Sequence, residues 1–221
     1  MTESSAFCTR LRALDVCAVS DALDALGLPA SVAGLKPLSV QRKIAGAAVT
    51  VKLGTTPPSE HKRHLGTAAI LACQAGDVIV VQQSTDIDCA GWGGVLCVGA
   101  QLKEVSGVIV EGPARDIDEA RELGFPVYAR SATATTARGR VYEQDFNCII
   151  QVGDVEVQPG DYVIADGSAV AFVPRGRVEE VLIRAERIAD RERLMILALK
   201  NGEAITEVMG KNYETMLEES K

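Results

Sequence analysis

Residues 93–130, GGVLCVGAQLKEVSGVIVEGPARDIDEARELGFPVYAR, decide the fold. A glycine pair opens a stretch of helical apolar spacing that runs to about Ser106, and the β-branched run GVIVEG follows as a strand. ARDIDEARELG is a second helix stopped by Gly124, and PVYAR is a second strand. Strands joined by a helical crossover pair in parallel, because the helix carries the chain back to the end of the sheet from which it left. The unbroken apolar character of VIV requires cover on both faces of that strand.

Working outward, residues 61–83 (HKRHLGTAAILACQAGDVIVVQQ) add a helix of Ala, Ile and Leu, a Gly76-Asp77 turn and the buried strand VIVV, so the βαβ pattern spans 76–130. Residues 44–53, IAGAAVTVKL, form a strand closed by the prolines of TTPPS, which cannot donate to a ladder. Residues 7–26 carry apolar positions at helical spacing and stop at Gly27 and Pro29, either as one helix or as two with Ser20 and Asp21 capping the second. From 141 to 173 the chain turns to short strands with turn pairs at Gly153-Asp154 and Gly160-Asp161, a β-rich layer against the α/β part. A long amphipathic helix from Val178 to about Lys200 closes the pattern, with charge pairs on one face and an apolar stripe suited to a subunit interface on the other. No fixed-period repeat or linker interrupts residues 1–221, so one α/β/β domain is expected.

Composition narrows the function. With 221 residues, 47 % hydrophobic and 24 % charged, the chain is an ordinary globular one. A net charge of -7 argues against a nucleic-acid surface, which needs clustered Lys and Arg. Aromatic residues make up only 4 %, too few for base-stacking platforms, so small-molecule chemistry is expected. No window is long and apolar enough to span a membrane, and the N-terminus has no apolar stretch behind a basic start, which reads as soluble and cytoplasmic. Six cysteines stand singly, without CxxC or zinc-type spacing, and read as reduced and mostly buried thiols.

Arg115 and Asp116 fall just past the end of strand GVIVEG, where open α/β sheets bind ligands. Neighbours at i and i+1 do not share a helix face, so the two side chains are expected to diverge, Arg115 forking onto a substrate carboxylate and Asp116 offering oxygens to Mg²⁺ or Mn²⁺. Gly93 and Gly94 open a helix whose backbone N–H groups suit an anion. A purely structural account also covers these residues: Asp116 and Asp118 favour the positive end of a helix, and Arg115 balances Glu111.

The spacing Gly94, twenty residues, Arg115-Asp116, two residues, Glu119 resembles the signature of the class II 4-hydroxy-4-methyl-2-oxoglutarate aldolases and their RraA-like relatives. GDVIVV, WGG, ELGFPVYAR, VQPGDYVIAD and FVP resemble the same family in the same order, over about residues 10–200. That resemblance implies an α/β/β sandwich of the swivelling phosphohistidine-domain type, assembled as trimers or hexamers with sites between subunits. It implies that Asp116 ligates a divalent metal, Mg²⁺ or Mn²⁺, and that Arg115 binds a 2-oxo acid and stabilises its enolate. Gly93, Gly94, Val95 and Leu96 would offer N–H groups to the substrate carboxylate, and Glu119 would order metal-bound water. The implied activity is retro-aldol cleavage to pyruvate, with oxaloacetate decarboxylation through the same enolate. Departures from the pattern are Glu111-Gly112-Pro113-Ala114 before the Arg-Asp pair, STDIDCAG before WGG, and SATATTARGR after PVYAR; these loops shape the pocket beyond the pyruvyl group.

Other residues carry weaker signals. His61 and His64 are three apart at a helix start, spaced for metal or proton transfer but also for a solvated basic end with Lys62 and Arg63. Asp86 and Asp88 precede Trp92 and could extend a metal shell, or serve as turn residues. Asp166 fits an Asx-type turn, Trp92 fits packing beneath the loop, and Cys89 and Cys97 have no positioned base to activate them. Lys52, Lys62 and Lys103 remain candidates for an imine route, though Lys103 reads as a solvated helix charge. Besides the lyase, two other readings stand: a non-enzymatic regulator that binds a ribonuclease, against which the complete Arg-Asp-x-x-Glu set weighs, and another lyase working through a metal enolate.

Overall fold

The computed structural model describes residues 3–29, 31–57 and 64–210. Helices α1 (Glu3–Ala13) and α2 (Val16–Asp24) precede β1 (Lys36–Pro37) and the long β2 (Ile44–Gly54). Then α3 (Thr67–Ala72), β3 (Val78–Gln82), α4 (Gly94–Leu102), β4 (Gly107–Ala114), α5 (Ile117–Glu122) and β5 (Val127–Ala132) alternate. Strands β6 (Tyr142–Phe146), β7 (Ile150–Val152), β8 (Val155–Val157), β9 (Tyr162–Ala165) and β10 (Val170–Val173) follow, and α6 (Val178–Lys200) and α7 (Ile205–Val208) complete the order.

The expected parallel core is present: β2, β3, β4 and β5 are successive parallel neighbours, with α4 and α5 as crossovers. Strand β2 curls the sheet. Its residues 44–47 pair antiparallel with β9, whereas residues 48–52 pair in parallel with β3. Strands β9 and β10 are thus joined edge to edge to β2 and folded over as a second layer, beside the separate antiparallel pair β7–β8, which gives the mixed α/β sandwich.

Three apolar clusters follow from that curl. Val80, Ile109 and Tyr128 of the parallel strands meet Val152, Val157, Val163 and Phe172 of the second layer inside it. Val51, Val81 and Val110 on the opposite face pack under α3, α4 and α5 with Trp92, Leu96, Cys97 and Ala120. Over β9 and β10 lie α1, α2 and α6, through Leu11, Val19, Leu23, Val181 and Leu182. Tyr128, fully buried, ties the layers together: its hydroxyl donates to the Arg42 and Ala165 carbonyls at 2.9 and 3.2 Å.

The N-terminal helical stretch is two helices, but the break is not at Ser20, which lies inside α2. Asp15 is the cap, extended at φ -104°, with its carboxylate accepting the Ala18 N–H at 2.9 Å. Asp166 accepts the Val16 N–H at 3.0 Å and the Ser168 N–H at 2.8 Å, so its Asx turn also holds the start of α2. All six cysteines are free, four of them buried. Among the described residues no helix is long and apolar enough to cross a membrane.

Candidate active site

The site forms where α4 begins beside the end of β4. The chain from Gly91 is zipped onto β4: Gly91 N–H donates to Pro113 O at 2.9 Å, Trp92 bridges Ala114 in parallel, and Arg115 N–H donates to Trp92 O at 3.0 Å. Trp92 is 1 % exposed and donates its indole N–H to Cys97 Sγ at 3.3 Å, so it packs beneath the loop as its size favours. That anchoring brings the glycine pair against Arg115 and Asp116. A Cβ on Gly93 would lie 2.9 Å from Asp116 Oδ2, and one on Gly94 would lie 3.1 Å from Asp116 Cβ. Only glycines allow this approach.

Asp116 adopts the left-handed conformation, φ 58° and ψ 43°, which costs a non-glycine residue on the order of 1–2 kcal/mol. The turn swings its carboxylate back across the site, so the expected divergence from Arg115 does not occur. Asp116 Oδ2 accepts the Gly94 N–H at 2.9 Å and lies 3.3 Å from Arg115 Nε. Both side chains are about a third exposed, so their ion pair contributes at most about 1 kcal/mol. Helix α5 starts only at Ile117, and Asp116 makes no side-chain cap to it; the carboxylate sits at the positive end of α4 instead.

The first turn of α4 leaves backbone donors without intrahelical partners. Gly94 gives its N–H to Asp116, while among the described residues the N–H groups of Val95 and Leu96 form no hydrogen bond. Val95 projects its side chain outward at 87 % exposure and Leu96 is buried. An anion beside Arg115 has two amide donors and a guanidinium to bind.

One alternative is corrected, and the other candidates are placed. Arg115 does not balance Glu111: Glu111 is held by Arg130 of β5, whose Nε and Nη2 reach its carboxylate at 2.9–3.1 Å. Glu119 is exposed on α5, and its side chain makes no hydrogen bond or ion pair among the described residues. Lys103 is the C-cap of α4, about 14 Å along the helix from the glycine pair. Asp86 takes positive φ in an exposed turn, and Asp88 is exposed nearby. His64 lies on the surface with Nδ1 3.1 Å from Leu65 O; His61 and Lys62 fall outside the described residues. Burial pushes the Cys97 thiol up to about 11, despite its hydrogen bond from Trp92, and burial raises Cys89 as well, so neither is a ready thiolate.

Among the described residues no three His, Cys, Asp or Glu side chains converge on a metal-holding cluster. The donor set is one carboxylate, with Asp116 Oδ1 free of hydrogen bonds among the described residues. A single half-buried carboxylate fits Mg²⁺ or Mn²⁺, hard ions that keep several waters and take remaining ligands from substrate; it does not fit a closed structural site.

One residue escaped the sequence reading. Gln83, 4 % exposed, donates Nε2 to the Cys89 carbonyl at 2.6 Å and pins the loop that leads to Trp92 and Gly93. Its Oε1 is buried without a partner, and a Cβ on Gly91 would fall 2.2 Å from it. The only signal was a pair of glutamines ending an apolar strand.

A family model described as RraA-like (Aldolase/RraA) matches residues 16–172. Protein DlpA of Legionella pneumophila is 29 % identical over 85 % of this chain, yet the chain spans only 30 % of DlpA's length. The 4-hydroxy-4-methyl-2-oxoglutarate aldolase of Thermus thermophilus is 33 % identical over 45 % of this chain and 60 % of its own. A crystal structure of an uncharacterized Pseudomonas syringae protein superposes with a TM-score of 0.85 at 26 % identity, covering 95 % of this chain and all of the other.

Proposed function

This chain belongs to the RraA-like family, and from that premise we propose that it is a divalent-metal-dependent carbon-carbon lyase acting on 4-hydroxy-2-oxo acids in the cytoplasm. The observation that carries the reading is the placement of Asp116. One carboxylate oxygen is fixed between the Gly94 N–H and Arg115, and among the described residues the other takes no hydrogen bond, and neither do the Val95 and Leu96 N–H groups of the same helix start. The T. thermophilus relative's name supports the aldolase chemistry.

In this reading Asp116 holds the cation, and Val95 and Leu96 N–H groups bind the substrate's 1-carboxylate at the positive end of α4. When bound, the cation supplies Lewis acidity toward the C2 oxygen. Arg115 in this reading stabilises negative charge on that oxygen as the bond from C3 to C4 breaks. The proton of the 4-hydroxyl departs, the bonding pair moves into the pyruvate enolate, and protonation at C3 gives pyruvate. Loss of carbon dioxide from oxaloacetate yields the same enolate, so one site serves both. Glu119, on the first turn of α5 and open to solvent, is assigned to hold a water through which the proton moves. The partner in this reading is a further copy of the chain. Leu71, Val95, Val98 and Leu102 are exposed by 73, 87, 47 and 81 % on α3 and α4, next to the site, and such a patch suits a subunit contact.

The test is pyruvate release from oxaloacetate and from 4-hydroxy-4-methyl-2-oxoglutarate, with Mg²⁺ or Mn²⁺ and with EDTA, in wild type and Asp116→Ala. Release that needs metal and Asp116 is expected. No release from either substrate by a folded protein would overturn the reading in favour of a binding or regulatory role.

A further inference from the structure

The first turn of α4 has a flank on either side, because α4 packs between α3 and α5 on one face of the parallel strands. On the α5 side, the turn after β4 brings Arg115 and Asp116 to Gly94. On the α3 side, Gly66 caps the helix in the left-handed conformation, φ 80°, which glycine adopts without a steric cost. A Cβ on Gly66 would lie 3.0 Å from Trp92 Cζ3 and 3.4 Å from Leu96 Cδ1. About one turn along, a Cβ on Gly99 would lie 3.6 Å from Ile70 Cδ1, so α3 and α4 run the same way with their starts side by side. The Gly66 N–H donates to Glu143 Oε2 at 2.7 Å, which ties this start to β6.

His64 stands two residues before that cap, with its backbone fixed: its carbonyl accepts the Thr67 N–H at 3.2 Å and the Thr67 hydroxyl at 2.7 Å. Its imidazole is exposed, and Nδ1 lies 3.1 Å from the Leu65 carbonyl. A carbonyl oxygen only accepts, so Nδ1 carries the hydrogen and the neutral ring presents Nε2 as a bare acceptor. Among the described residues Nε2 has no hydrogen bond.

The lyase chemistry leaves the 4-hydroxyl proton without a side chain to take it. Arg115 stays protonated, Asp116 is committed to Gly94 and the cation, and Glu143 holds the Gly66 N–H. Resting on that lyase reading, we propose that His64 is the catalytic base for the 4-hydroxyl, acting from the α3 flank while Arg115 and Asp116 act on the C2 oxygen from the α5 flank. Helices packed side by side lie about 8–10 Å apart, a gap that a substrate chain and an imidazole bridge. Nε2 takes the hydroxyl proton as the C3–C4 bond breaks, the C4 oxygen becomes a carbonyl, and the bonding pair enters the enolate. The enolate takes its proton at C3 from the water assigned to Glu119, and the imidazolium returns its proton to solvent.

The experiment compares wild type with His64→Asn, whose side-chain amide keeps a donor for the Leu65 carbonyl but has no basic nitrogen. With Mg²⁺ present, kcat for cleavage of 4-hydroxy-4-methyl-2-oxoglutarate should fall about a hundredfold or more, while oxaloacetate decarboxylation, which has no hydroxyl proton to remove, should stay within about twofold. The chain has two histidines, so the ring signal missing from His64→Asn identifies His64 in a proton NMR spectrum, and adding 2-oxoglutarate with Mg²⁺ should move that signal. Full cleavage activity in His64→Asn, an equal fall in both reactions, or a His64 signal indifferent to 2-oxoglutarate overturns the assignment and leaves the lyase reading standing. No pyruvate release from either substrate by the wild type would instead overturn the lyase reading, and this assignment with it.

Discussion

Asp116 Oδ2 sits 2.9 Å from the amide nitrogen of Gly94, twenty-two residues earlier, and 3.3 Å from Nε of its own neighbour Arg115. One carboxylate thereby joins the start of α4 to the end of β4, and its two roles, structural and chemical, separate by mutation. Asp116→Asn keeps an acceptor for the Gly94 N–H and should melt within a few degrees of wild type. It loses the charge that holds a cation, so metal-dependent pyruvate release should fall about a thousandfold or more. An Asn variant with near-normal metal-dependent turnover would remove Asp116 from the metal site.

The glycine pair should be intolerant of a single methyl. In Gly94→Ala the added carbon would come 3.1 Å from Asp116 Cβ, tighter than most such contacts, so α4 or Asp116 must give by a few tenths of an ångström. Thermal unfolding should show a loss of about 1–3 kcal/mol, and KM should rise about tenfold or more as the Val95 and Leu96 amides leave register. Equal KM values in the two proteins would mean that the amides do not bind substrate.

Gln83→Leu should loosen the loop from a distance. The Cys89 carbonyl would lose its 2.6 Å donor inside the protein, a loss of about 1–3 kcal/mol, offset in part because the orphaned Oε1 disappears too. Hydrogen exchange at Ala90 and Gly91, whose N–H groups donate to Thr135 O and Pro113 O at 2.9 Å, should accelerate more than exchange in β4. Uniform acceleration would show that Gln83 serves global stability alone.

Alkaline stability should reflect the buried thiols. Burial holds Cys73 up at about 12 and Cys97 at about 11, against 9.0 for an ordinary cysteine. Unfolded chains therefore release these protons at lower pH than folded ones, so the thiols' contribution is whole below pH 9 and declines as pH rises through 11 and 12. Each unit of difference corresponds to about 1.4 kcal/mol. Urea midpoints measured from pH 8 to 11 should fall in wild type and fall less in Cys73→Ala. At pH 8 a thiol reagent should label the exposed Cys17 quickly and Cys73 and Cys97 only on unfolding.

Much of the fold was legible because its elements carry their own periodicity. The runs VIVV and GVIVEG have apolar side chains on both faces and need cover twice, which the curled sheet and α3–α5 provide. Helix α6 was legible to its last residue, since its apolar and charged positions repeat locally. The break between α1 and α2 was not. Ser20 and Asp15 are both competent caps, and the choice was made by Asp166, 150 residues away, which takes the Val16 N–H.

At the site the division is the same. From the sequence alone came the residue types: a glycine pair ahead of a helix, an Arg-Asp pair at a strand end, and the family pattern that joins them. Their geometry belonged to the tertiary structure. Adjacent side chains diverge on a regular helix, but a left-handed Asp116 turns its carboxylate back, and only the zipping of Gly91 and Trp92 onto β4 brings Gly94 there to meet it. Glu111 likewise found Arg130 across two parallel strands rather than Arg115 along its own. Periodicity is a local property that any window of residues displays, whereas a contact between distant segments depends on the register and curl of the sheet, which no window contains.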